Sequence, residues 1–114
     1  MKQRKPASRP ASEMISFDRE LLELRVDSVL VKRLDCRATN QICILTAFEE
    51  DGWPRHIDDP LHPAKGTDSK ARLRYAIHSL NGCQHPWLIR FFADGTGRGI
   101  RWERIENAAP ISRR

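Results

Sequence analysis

The sequence predicts a small α+β domain. Three observations carry this reading. Apolar and polar residues alternate with period two in the first third of the chain. Two helix-length stretches carry apolar residues at helical spacing. A glycine-rich turn separates two strand-like runs near the C-terminus. A length of 114 residues fits one domain. A chain of this size can bury a core without disulfide or metal staples.

Residues 1–14 hold Lys2, Arg4, Lys5 and Arg9 against Glu13, amid Pro, Ser and Ala with no periodic apolar pattern, so a disordered basic arm is expected. Ile15, Phe17, Leu22, Leu24 and Val26 then alternate with polar residues, Asp27-Ser28 interrupts, and Val29–Leu34 resumes the pattern. This reads as a small antiparallel hairpin or meander. Thr39 or Asn40 is placed to cap a helix through Asp51. Ile42, Leu45 and Phe48, with Ile44 and Ala47 beside them, give that helix a broad buried face. Gly52 fits the C′ position, Trp53 is the apolar residue that packs back on the last turn, and Pro54 forbids continuation.

Residues 53–66 contain three prolines. They favour a turn, an extended segment around Ile57 and Leu61, or one short helical turn over a long helix. Asp68 or Thr67 caps the second helix, which ends at Asn81-Gly82. Its apolar stripe is Leu73, Ala76, Ile77 and Leu80. Ala71, Arg74, Tyr75 and His78 cluster opposite, flanked by Lys70, Arg72 and Ser79. Leu88–Ala93 and Gly99–Ile105 are strand-like, and Asp94-Gly95 between them is a strong hairpin signal because a type I′ turn needs φ > 0 at both central residues. Residues 107–114 read as a flexible polar tail. The expected core is Leu24, Ile42, Leu45, Phe48, Trp53, Leu73, Ile77, Leu80, Phe91 or Phe92, and Trp102.

The formal net charge is +5 and is unevenly placed. The two tails carry the excess and the body between them is neutral. Within the body, residues 15–66 hold seven Lys/Arg against ten Asp/Glu, whereas residues 67–112 hold seven against four. The positive half is the helix–hairpin half, the polarity that phosphate neutralisation requires. No apolar run is long enough to span a membrane, and the N-terminus lacks the apolar stretch of a secretory signal, so a cytoplasmic protein is expected. Cys36, Cys43 and Cys83 form no C-x-x-C pair and are expected to be free thiols.

Signals for catalysis are weak. Asp58-Asp59 with His56 and His62 suggests turn and cap residues more than a metal or acid/base site. The spacings His56-x5-His62 and Cys83-x-His85 are not those of zinc sites. Gly95-x-Gly97-x-Gly99 is followed by no helix to hold a pyrophosphate, and no nucleophile elbow is present. The expectation is therefore no enzyme, no cofactor, no metal and no small-molecule substrate.

The order strands, helix, spacer, helix, hairpin over residues 17–105 resembles the winged-helix effector domain of response-regulator transcription factors, the type with a small N-terminal sheet. Phe17–Leu34 matches its strands, Asn40–Trp53 its first helix and Ser69–Leu80 its recognition helix. Leu88-Ile-Arg-Phe-Phe with Gly95-Thr96-Gly97 matches its wing. There is no receiver domain, so phosphorylation control by that route is not implied. The strings Asp51-Gly52-Trp53-Pro54, Ile57-Asp58-Asp59-Pro60-Leu61 and Asp94-Gly95-Thr96-Gly97 also resemble those of short uncharacterised bacterial proteins, which imply no activity. The expected fold is thus a small α+β winged helix with N-terminal strands, two main helices and a C-terminal β-hairpin wing over residues 15–106. The expected function is duplex DNA binding by a transcriptional regulator or accessory factor. Helix 68–82 would enter the major groove, with Arg74, Tyr75 and His78 at base edges and Lys70, Arg72 and Arg98 on phosphates. The alternative is a protein–protein interaction module, for which an exposed tryptophan beside an apolar patch would be the mark.

Overall fold

A computed structural model describes residues 15–61, 66 and 68–105. The expected arm 1–14, the tail 107–114 and Thr67 as a cap lie outside the described residues. The elements are β1 (Ile15–Asp18), β2 (Glu23–Val26), β3 (Val29–Arg33), α1 (Thr39–Glu50), β4 (His56–Asp58), α2 (Ser69–Asn81), β5 (Ile89–Ala93) and β6 (Gly99–Arg104). They make two antiparallel three-stranded sheets, ordered β1-β2-β3 and β4-β6-β5.

This is not the expected winged helix. Among the described residues there are two helices and six strands, and the segment after α1 contributes a strand where a helix-turn-helix needs a helix. The reason is local. Pro54 and Pro60 bracket the segment, and a proline disfavours helical backbone in the residue before it. Ile57 between exposed His56 and Asp58 has the alternation of a strand. β4 then pairs with β6, Ile57 opposite Ile100, so β6 is a central strand and the hairpin is no free wing.

The N-terminal strands form the meander. Asp27 and Ser28 both have positive φ, +53° and +70°, the mark of a two-residue I′ turn whose twist suits the flanking strands. Ile15, Phe17, Leu24, Val26 and Val31 point inward. The sheet is tied to both helices by long-range hydrogen bonds. The Phe17 N–H donates to Glu49 Oε1 on α1 (3.0 Å), and Lys32 Nζ donates to the last turn of α2.

Helix α1 begins without the expected cap. Thr39 is already helical and Ala38 stands at the N-cap with no side-chain bond. The entry turn is organised upstream by Asp35, whose Oδ1 accepts from the Arg37 N–H at 2.8 Å. The C-terminus follows the expected motif. The Gly52 N–H donates to Glu49 O (3.1 Å) and the Trp53 N–H to Phe48 O (2.8 Å), the two bonds of a Schellman cap, with Gly52 at φ +82°. The Trp53 ring lies flat on Phe48, centroids 5.1 Å apart, and meets Trp102 edge-on at 6.1 Å. Both indole N–H groups are satisfied: Trp53 Nε1 donates to Glu49 Oε1 and Trp102 Nε1 to Pro54 O, each at 2.7 Å.

Helix α2 is capped by Asp68, whose Oδ1 accepts from the N–H groups of Lys70 (3.0 Å) and Ala71 (3.2 Å). Leu73, Ala76, Ile77 and Leu80 are its buried face, and it packs on β5. Asn81 fixes that packing by acting as a surrogate strand: its Nδ2 donates to Phe91 O and its Oδ1 accepts from the Phe91 N–H, both at 2.8 Å. Gln84 Nε2 does the same for Ile89 O (2.9 Å). The register places Phe91 inward opposite Trp102, and Phe92 on the outer face opposite Arg101. Among the expected core residues, Ile42 is only partly buried.

Candidate nucleic-acid interface

The exposed side of α2 carries Lys70, Arg74, Tyr75 and His78. Lys70, Arg74 and His78 follow one another at i, i+4 spacing and therefore share one ridge of the helix. The helix contains no Asp or Glu, so nothing on it cancels that charge. Among the described residues, Lys70, Arg74 and Arg98 make no ion pair. Arg25, Arg33, Arg37, Arg90 and Arg104 elsewhere are each bound to a carboxylate. Tyr75 is 73% exposed and stands on the side of the ridge toward the start of α1, in one cavity with Arg37 and Asn40.

The hairpin turn closes on the first turn of α2. The methylenes of Lys70 lie over Gly97, and a Cβ at that position would sit 2.7 Å from Lys70 Cδ. The turn runs from Asp94 to Arg98, longer than the two-residue type I′ form, because the Asp94 carboxylate builds it. Asp94 Oδ1 accepts from the Thr96 N–H (2.9 Å) and the Thr96 hydroxyl (2.7 Å), and Thr96 Oγ1 accepts from the Arg98 N–H (3.0 Å). The other oxygen of Asp94 reaches His56 Nε2 at 2.8 Å. These bonds, those from Thr96 first, hold the Asp94 carboxyl at about 2, well below an ordinary carboxylate.

Gly99 is what lets this pair form. His56 on β4 and Asp94 after β5 meet above β6, and a Cβ at Gly99 would collide with both the carboxylate and the imidazole. The two residues are 38 positions apart, and the sequence holds no spacing signal for them. Only a glycine at the start of an otherwise regular strand hints at a close approach there.

The six residues expected to meet nucleic acid are thus not equivalent. Lys70, Arg74, Tyr75 and His78 come together. Arg72 leaves the group: it is half-buried, its Nε is out of solvent with no hydrogen-bond partner, and its charge bears on Cys43 of α1. Arg98 lies close to Lys70 through Gly97, but it shares a cavity with Asp58, Asp59 and Asp94. Three carboxylates lining the same cavity lower the positive potential that its guanidinium offers a phosphate. The acidic residues on either side of β4 are hidden in sequence because the prolines obscure the strand that gathers them. No group of three or more His, Cys, Asp or Glu among the described residues is arranged to hold a metal ion. No described helix is long and apolar enough to cross a membrane.

Comparison of the chain with protein-family models, with curated proteins and with solved structures finds no match.

Proposed function

We propose that the chain binds duplex DNA through the exposed ridge of α2, as a transcriptional regulator or accessory factor. The observation that carries this reading is a row of basic side chains, Lys70, Arg74 and His78, on a helix whose residues 69–81 include no acid, with no intramolecular ion-pair partner among the described residues. A helix of this diameter fits the major groove, and a tyrosine with a free edge beside the row supplies a hydrogen-bonding group for bases. The reading does not require a helix-turn-helix. It requires only that the ridge meet the groove unobstructed, and Lys70, Arg74, Tyr75 and His78 are all exposed. Arg72 is half-buried and stands outside the row, and Arg98 contributes less because of its carboxylate neighbours.

Fluorescence anisotropy with a labelled duplex, titrated at several salt concentrations, tests this. Arg74→Ala should weaken binding and, if Arg74 holds a phosphate, lower the salt slope by ~1. Arg98→Ala should leave both nearly unchanged. Absence of binding at low salt, or binding unaffected when Lys70, Arg74 and His78 are all replaced by alanine, refutes the proposal. One observation favours a second reading. Tyr75 and Trp87 are the most exposed aromatic side chains described, and such residues anchor protein interfaces. A chain that ignores DNA but loses a protein partner on Tyr75→Ala would establish that reading instead.

A further inference from the structure

We infer that the outer edge of β4 is a docking site for an extended, basic segment of another protein, which would add to the second sheet as a fourth strand. Two three-stranded sheets have four edges, and among the described residues the backbone of three of them makes at least one hydrogen bond beyond its own sheet. At β1, Glu49 takes the Phe17 N–H. At β3, Val31 O accepts from the His85 N–H at 2.7 Å. At β5, Asn81 and Gln84 satisfy both groups of Phe91 and the carbonyl of Ile89. Such coverage is how proteins keep strand edges from recruiting other chains.

The β4 backbone makes none among the described residues. Its bonds to β6 fall on alternate residues: Trp102 N–H donates to Arg55 O, Ile57 pairs with Ile100, and Asp59 N–H donates to Arg98 O. The N–H and C=O groups of His56 and Asp58 therefore point away from β6. No described residue bonds to them. They open into a groove of about 500 Å³ whose far wall is α1, at Ala47 and Asp51, and whose floor continues to Asp59 and Pro60. An unpaired strand edge facing a second wall across a trough is the arrangement that accepts a peptide by strand addition, with main-chain bonds giving affinity and the walls giving selectivity.

The lining states the partner's charge. Asp51, Asp58 and Asp59 face the trough, and the one basic side chain lining it, His56, is hydrogen-bonded to Asp94. A second copy of this chain is a poor occupant, because it would bring a second set of Asp51, Asp58 and Asp59 carboxylates up to the first. A segment alternating Lys or Arg with small apolar residues satisfies the backbone and the carboxylates together. This inference is independent of the α2 reading.

A fluorescein-labelled peptide alternating Lys with Val is the probe, titrated into the full chain and followed by anisotropy, with amide hydrogen exchange read in parallel. Saturable binding is expected, with slowed exchange at His56 and Asp58. The same peptide N-methylated at alternate amides keeps every charge but cannot pair, and it should bind at least ~10-fold more weakly. Asp58→Pro removes one outward N–H that β6 does not use, and Asp58→Lys reverses the charge on an intact backbone. Each should likewise cost at least ~10-fold. Equal binding of the methylated peptide overturns the proposal, as does indifference to Asp58→Lys. Amides at His56 and Asp58 that are already protected without probe would identify a different occupant. If that protection is independent of concentration the occupant is the chain's own tail, and if it grows with concentration it is a second copy. Either result overturns the assignment to a partner.

Discussion

Replacing Lys32 by methionine should destabilise the protein by about 2 kcal/mol, in the lower half of the ~1.5–3 kcal/mol net worth of hydrogen bonds to a charged group. Lys32 lies in the middle of β3 with only 7% of its surface exposed. Its Nζ donates to the carbonyls of Ser79 (2.5 Å), Leu80 (3.3 Å) and Gly82 (2.8 Å). These carbonyls lie at the C-terminal end of α2, at the negative pole of its dipole, where the helix itself supplies few donors. Methionine keeps the length of the stem and removes the charge. Leu80 O retains Gln84 Nε2 at 3.1 Å and Ser79 O retains the Gly82 N–H at 3.2 Å, whereas Gly82 O loses the ammonium and is only partly recovered by water. Against this loss stands the relief of burying a cation, which already lowers the Lys32 pKa. At ~4–8 °C per kcal/mol for a domain of this size, the thermal midpoint should fall by about 8–16 °C. Lys32→Ala also removes three methylenes worth ~0.8 kcal/mol each and should cost about 2 kcal/mol more. Urea titration followed by tryptophan fluorescence measures both, and amide exchange should accelerate first in residues 78–82. A methionine variant within ~0.5 kcal/mol of the parent, or more stable, would refute this, since an apolar replacement would then outperform the capping charge as it does at some buried ion pairs.

Three further outcomes follow from the geometry. Asp94 has a folded pKa lowered from 3.8 to about 2, so its contribution to stability is complete above its unfolded value and disappears as pH falls through the lower one. Acid titration should show a loss over that window which Asp94→Asn removes, with the turn resonances of Thr96 shifting in the parent alone. Gly52→Ala places a Cβ in open space at φ +82°, so its cost is purely conformational, ~1–2 kcal/mol by thermal unfolding. Asn81→Ala strips both backbone partners from buried Phe91 and should cost ~2–4 kcal/mol, from one to two unsatisfied groups at 1–3 each, with α2 losing protection together with β5.

The legible parts of the sequence were those written locally. The Schellman end of α1 shows in Gly52-Trp53-Pro54, the cap of α2 in Asp68, and the meander in period-two alternation broken at Asp27-Ser28. The parts that escaped depend on residues far apart in the chain. Lys32 reads as an ordinary surface lysine until α2, 47 residues later, brings its last carbonyls to it. Asn81 and Gln84 look like a polar helix end, yet they close a strand edge. The winged-helix expectation failed for the same reason. The order of elements along the chain allows several sheet assignments, and three residues between prolines decided that the hairpin would become the centre and edge of a sheet. Of the site, the ridge on α2 was visible as a helical pattern. The withdrawal of Arg72 toward α1 and the carboxylates around Arg98 were not, because both follow from which neighbours the fold supplies.

The aromatic arrangement gives the molecule optically distinct reporters. Trp53 and Trp102 are buried in a contiguous set with Phe48 and Phe91, whereas Trp87 is 49% exposed in the connection between α2 and β5. Native emission is therefore a sum of a blue-shifted pair that dissolved quenchers reach poorly and a red-shifted third that they reach easily. Unfolding moves the pair most, and an event at the α2–β5 connection moves chiefly the third. A single unlabelled sample can distinguish loss of the core from engagement of the surface by the colour of the light that changes.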